Sequence, residues 1–263
     1  MAFYNKVNMT ILVANALAVR SLQAKNFLES ESLLKLCFNK EIDNHDINAI
    51  RIYCAKVKAR IGEYNDLANS KNPADIRSYN AAQESNKLCN LEAEDYAYKL
   101  KINCASKLGG LYYQNNNTNN AMVFYQKAYN LQPHDAIYFI DFVTTLLDYN
   151  HYKEAELELT KCFKTIFYFP NQLSENILKA SCAANLALIY SEEKLDHPYH
   201  DKATLYFQMA QELDSNKSDY LHNLAMHYYN NNYTEAKSLL KECANINDNY
   251  DYVKECSYYL FES

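Results

Sequence analysis

Glycine is scarce in this 263-residue chain, with 3 residues, proline numbers 4, and tryptophan is absent. So few chain breakers leave little material for glycine-rich phosphate loops or for the tight turns of a many-stranded β fold. They fit long helices joined by short connections. No H-E-x-x-H, nucleophile elbow or phosphate loop is found. No apolar run is long enough to span a bilayer. Positive charge is also short, with 26 Lys and Arg against 32 Asp and Glu and a net charge of −6. That balance argues against a nucleic-acid partner, because neutralising phosphates needs clustered cations.

The eight cysteines are Cys37, Cys54, Cys89, Cys104, Cys162, Cys182, Cys243 and Cys256, and none form a C-x-x-C pair. Their spacing resembles neither a zinc site nor a small disulfide scaffold. Free cysteine behaves as a small buried apolar residue. That reading places the chain in a reducing compartment, the cytoplasm.

Apolar residues make up 49% and charged residues 22%, a globular rather than disordered composition. The length suits one large core or one elongated repeat array. Residues 9–19 form an apolar run after Lys6 that loosely imitates a signal peptide. The run is short and contains Asn15, and Leu17-Ala18 fits the repeat described next, so it is read as a first helix. Export, with residues 1–18 as a signal, is the alternative localisation.

An internal period organises the chain. Its clearest unit spans 102–135 and reads Leu108-Gly109-x-x-Tyr112, Ala121-x-x-x-Tyr125-x-x-Ala128, then Pro133. A second unit, 136–169, follows 34 residues on, with Phe142, Val143 and Leu146 under the first triplet and Ala155, Leu159 and Cys162 under the second. A third, 180–217, carries Leu186-Ala187-x-x-Tyr190 and Ala203-x-x-x-Phe207-x-x-Ala210, with a longer connection containing Pro198. A fourth, 218–249, carries Leu224-Ala225, Ala236, Leu240 and Cys243, and a last helix is expected over 250–262. Before residue 102 the pattern degenerates across 11–100. Leu17-Ala18, Ser30, Leu34 and Cys37 fit one unit. Cys54-Ala55 and Gly62-Glu63-Tyr64 suggest the start of another, interrupted by Asn72-Pro73.

In type and spacing these residues resemble the tetratricopeptide repeat family, with Ala105 where the family has Trp. The resemblance implies an all-α fold, a right-handed α-solenoid of antiparallel helical hairpins forming a single domain over 1–263. Small Gly109, Ala121, Ala128, Ala155, Ala203 and Ala210 let helices approach to roughly 8–10 Å, and Tyr112, Tyr125, Phe142 and Phe207 fill the spaces between hairpins. It also implies a non-enzymatic scaffold or adaptor that grips a peptide or helix of a partner protein on the first helices of its hairpins, without a cofactor. A chaperone or pilot factor for a secreted or pilus protein is the second expectation.

Helical spacing selects the side chains that leave those first helices for a concave groove. They are Lys107, Tyr113, Ile137, Asp141, Thr144, Asn185, Leu188, His222, Asn223, Met226 and Tyr229. The lysine, asparagine and arginine clamp by which chaperone-binding members of the family hold a carboxylate is missing: Ser106, Gly110, Asp141 and Ser181 stand at its places, and only Asn185 suits. One cluster resembles a metal site, Asp196-His197-x-x-His200-Asp201, whose two histidines could share an ion. The bland reading of that segment is a polar insertion loop. Asn115–Asn120 falls where a hairpin must turn, and asparagine tolerates the left-handed backbone such turns need.

Overall fold

The computed structural model describes residues 9–65, 72–169, 174–191, 199–215, 218–231, 234–246 and 251–262. Among them the regular elements are all α-helices, and the one extended pairing is an isolated bridge between Asp135 and Tyr168. The chain divides into two compact units, Met1–Gln132 and Pro133–Ser263.

The first unit holds α1 (Ile11–Gln23), α2 (Phe27–Asn39), α3 (Asn44–Asn65), α4 (Pro73–Leu88), α5 (Ala93–Gln114) and α6 (Thr118–Leu131). Helices α1 and α2 form one hairpin and α5 and α6 another, and α2 packs directly on α5. The hairpin α3/α4 is therefore an insertion. It does not part its neighbours, and it touches them through α3, which meets α5 and α1. The apolar run 9–19 is mostly α1, with Ile11, Ala14 and Ala18 fully buried. Two expectations for this region are corrected. Helix α3 runs unbroken through Gly62-Glu63-Tyr64, so no repeat begins there. Asn72-Pro73 starts a helix rather than interrupting one: the Asn72 side chain accepts from the Ala74 N–H, and Pro73 takes the first helical position, where its missing N–H costs nothing.

A buried carboxylate ties the insertion to the stack. Asp46, near the start of α3, is fully buried. Its Oδ1 accepts from the backbone N–H of Ile11 at 2.7 Å, at the positive end of α1. Its Oδ2 accepts from the Asp43 N–H at 3.2 Å, while Asp43 returns the bond to the Asp46 N–H at 2.9 Å. The Lys40 ammonium lies 3.1 Å from both carboxylates and offsets one of their two negative charges.

The second unit holds α7 (Ala136–Asp148), α8 (Tyr152–Lys161), α9 (Glu175–Ser191), α10 (His200–Leu213), α11 (Ser218–Asn230), α12 (Ala236–Ala244) and α13 (Asp251–Glu262). It forms the hairpins α7/α8, α9/α10 and α11/α12. The second helix of each packs on the next first helix: α8 on α9, α10 on α11 and α12 on α13. Asp135 caps α7 by accepting from the Ile137 N–H at 3.0 Å.

The turns of the hairpins α1/α2, α5/α6 and α7/α8 share one geometry. Lys25, Asn116 and Asn150 have φ of 57°, 54° and 61°. The next residue's N–H, from Asn26, Asn117 or His151, reaches back to Ser21, Tyr112 or Leu146. This is the left-handed closure that satisfies the last carbonyls of a helix, and Asn26 and Asn117 then cap the following helix. At the interface of α5 and α6 small residues are obligatory. A Cβ placed on Gly109 would stand 2.7 Å from Cδ1 and Cγ of Tyr125.

The cysteines are not free apolar filler, as their spacing had suggested. All eight are paired, as Cys37–Cys104, Cys54–Cys89, Cys162–Cys182 and Cys243–Cys256. Local spacing hid them because each bond joins different helices.

Candidate functional site

The residues expected to face a groove separate into three groups. Tyr113, Ile137 and Thr144 are exposed on first helices, in α5 for the first and α7 for the other two, and Asp141 of α7 is half-buried. Lys107 and Asn185 are engaged within the fold. The Lys107 ammonium donates to Asn15 Oδ1 of α1 at 3.1 Å, and burial holds its pKa below the usual lysine value. The Asn185 amide donates to the Ser181 carbonyl of its own helix at 2.9 Å.

The third group gathers at α11. Leu188 of α9 and Asn223 and Met226 of α11 line one cavity of about 360 Å³. His222 does not join them, and its placement in a groove is corrected. It is buried against α13, with Nε2 2.9 Å from the Glu255 carboxylate and its ring 5.0 Å from that of Tyr252. Tyr229 is half-covered by the same helix, its ring 5.5 Å from Tyr259. Helix α13 packs on this flank of α11.

The cavity has further walls that were not part of the expected groove. Ser191, His200, Phe207, His227, Asn230 and Asn231 complete it. They come from the end of α9, from the start and middle of α10, and from the last turn of α11 and the residue after it, whereas helical spacing had been read on first helices alone. His227 is the best anchored. It is buried, its Nε2 lies 2.9 Å from Thr204 Oγ1, and the Asn231 amide donates to its carbonyl at 2.8 Å. Burial, and then the neighbouring His200 with its ring 6.0 Å away, lower the His227 pKa, so the neutral imidazole is favoured.

Chemically the cavity offers apolar walls from Leu188, Phe207 and Met226 and a rim of amides. The polar groups of the described lining residues are hydroxyl, imidazole and amide donors and acceptors. Such a mixture suits a peptide segment with apolar side chains. Of the suggested metal pair, His200 opens α10, while His197 lies outside the described residues. Among the described residues there is no group of three or more side chains able to hold a metal ion. No described helix is long and apolar enough to cross a membrane. A second cavity, about 430 Å³, lies between α3 and α4 in the first unit, where the Tyr53 hydroxyl donates to Ser85 at 3.1 Å.

Helical hairpins closed by left-handed turns, with glycine and alanine at their contacts, define a tetratricopeptide-like helical-repeat protein. A solved structure shares this fold. The chain is similar to the anaphase-promoting-complex hetero-tetramer Cut9–Hcn1, at a TM-score of 0.50 and 16% identity over 95% of this chain. It spans 55% of that longer chain. It is also similar to YrrB, described as a TPR protein with an unusual peptide-binding site, at 0.46 and 16% over 84% of this chain and 94% of that one. The TPR2AB domain of yeast Sti1, solved in a complex with pHSP90, follows at 0.37 and 14%, covering 96% of this chain and 97% of that one. No family model matches the sequence, and no curated protein does.

Proposed function

We propose that this chain is a non-enzymatic protein–protein interaction scaffold that holds a peptide or helix of a partner on the first helices of its hairpins. The observation that carries the proposal is the cavity of about 360 Å³ where Leu188, Asn223 and Met226, drawn from two successive first helices, open together. Successive first helices sharing one recessed surface is what a stack of hairpins provides for an extended ligand. Apolar walls supply the driving force by area buried, and the amides supply orientation. The peptide-binding descriptions of YrrB and of the Sti1 domain are in keeping with this use of the fold.

The test begins with affinity capture of the partner from the cell that makes the protein. Leu188→Glu and Asn223→Ala should each weaken binding of that partner at least about tenfold, the equivalent of 1.4 kcal/mol, while far-UV circular dichroism stays helical. Unchanged affinity for both variants rejects this surface. A chaperone or pilot role for an exported protein is the second reading, favoured by the four disulfides, which suit the compartments such clients pass through. It predicts that co-expression raises the soluble yield of the captured partner.

A further inference from the structure

Three of the four bridges occupy one pair of repeat positions. The first cysteine stands at the last small position of a second helix: Cys37 in α2, Cys162 at the C-cap of α8 and Cys243 in α12. The second stands four residues before the leucine position of the first helix that packs on it: Cys104 before Leu108, Cys182 before Leu186 and Cys256 before Leu260. Their Cα atoms lie 6.1, 6.6 and 5.9 Å apart, inside the range of roughly 4.4–6.8 Å that a disulfide spans.

At the α10/α11 joint neither position is cysteine. Ala210 of α10 and Tyr220 of α11 stand there in the second unit, buried in one apolar cluster. Ala128 of α6 and Tyr138 of α7 hold the same two positions in the sequence. The pairs are all or none, Cys with Cys or Ala with Tyr, and they alternate along the chain. Cysteine used as small filler has no cause to be matched with a second cysteine 67, 20 or 13 residues away, since either site alone would accept alanine. Bonded cysteine requires the match. Two of the bridged joints also share a second link. The Tyr112 hydroxyl donates to Glu31 at 2.7 Å, and the Tyr190 hydroxyl donates to Glu156 at 2.6 Å. Those residues sit at the same offsets from their cysteines, so both joints keep one register.

We propose that the working form of this chain is oxidised, in a compartment that sustains structural disulfides, with the α2/α5, α8/α9 and α12/α13 joints covalently stapled. This departs from the cytoplasmic location expected from cysteine spacing alone. A glutathione-buffered cytosol holds such cysteines as thiols, outside hyperthermophiles, and the asparagine-rich sequence is unlike a hyperthermophile's. Each bridge forms by exchange with a glutathione-type or protein disulfide. The donor's S–S bond breaks and the chain's S–S bond forms. The two protons and two electrons of the chain's thiols leave on the donor, which is reduced to two thiols.

Thiol accounting tests the proposal on the full chain, taken from the cell that makes it and quenched in denaturant with excess maleimide. Intact mass should show no added maleimide before reduction and eight after it. Peptide mapping should recover Cys37–Cys104, Cys54–Cys89, Cys162–Cys182 and Cys243–Cys256. Eight maleimides added without reduction, or bridges joining other partners, overturn it. Neither result depends on which partner the surface binds.

Discussion

Gly109→Ala puts a methyl group where α5 and α6 meet. The new Cβ would lie 2.7 Å from Cδ1 and Cγ of Tyr125 and 2.9 Å from Cε1, against a comfortable carbon separation of about 3.5–4.0 Å. The clashing atoms are at the base of the ring, so a rotation of the distal ring does not clear them. Helix α6 or the whole side chain must retreat by roughly 1 Å, and overpacking of this kind costs about 1–3 kcal/mol. Helix propensity acts the other way, favouring alanine over glycine by about 1 kcal/mol. The net expectation is a loss of about 0–2 kcal/mol, read as a lower urea midpoint at unchanged slope in the oxidised protein. Pairing it with Tyr125→Leu removes the ring. In that background Gly109→Ala should become neutral or stabilising, a coupling that a double-mutant cycle measures directly. A gain of about 1 kcal/mol from Gly109→Ala alone would show that propensity acts unopposed, and the close approach of the two helices would be refuted.

Asp46→Ala strips acceptors from two backbone N–H groups and leaves Lys40 without its buried partner. A loss of about 3–4 kcal/mol in denaturant unfolding is expected, and a change under 1 kcal/mol would show that α1 is not anchored by α3. Acidification should weaken the second unit through His227. Its folded pKa lies below the ordinary value of about 6.5, so the unfolded chain takes up the proton first as pH falls. Its stabilising contribution is complete above about pH 6.5 and is lost on descent toward the folded pKa. His227→Gln should flatten the slope of the urea midpoint between pH 7.5 and 5.5, and an unchanged slope contradicts the assignment.

The hairpins were legible wherever contact residues recur within one turn of each other. Leu108-Gly109-x-x-Tyr112 and Ala121-x-x-x-Tyr125 lie on the helices α5 and α6 that the pattern required, and the left-handed Asn116 fell inside the expected asparagine turn. The register before residue 100 was not legible, because the insertion α3/α4 separates in sequence two hairpins that touch in space. The same distance concealed the bridges. Spacing between neighbouring cysteines carries no information about a bond from the end of one helix to the next hairpin, whereas alignment of equivalent repeat positions places Cys37, Cys162 and Cys243 in one column. His222 was misplaced for a different reason. The face a repeat presents depends on its neighbour, and here the neighbour is the terminal helix α13. Of the cavity's outer wall, His200 and Phe207 were missed because they belong to α10, the second helix of its hairpin, and only first helices had been searched.

The equivalence of the joints can be measured by exchanging one for another. Cys162→Ala with Cys182→Tyr installs at α8/α9 the pair that α10/α11 carries in Ala210 and Tyr220. Cys162→Ala with Cys182→Ala removes the same bridge, which closes a 20-residue separation and contributes about 3 kcal/mol in the chain-entropy account, but leaves the space unfilled. The alanine–tyrosine chain should stay helical and unfold at a higher urea concentration than the alanine–alanine chain. If the tyrosine chain is the less stable of the two, the joints are not interchangeable positions of one repeat, and the stack described here is contradicted.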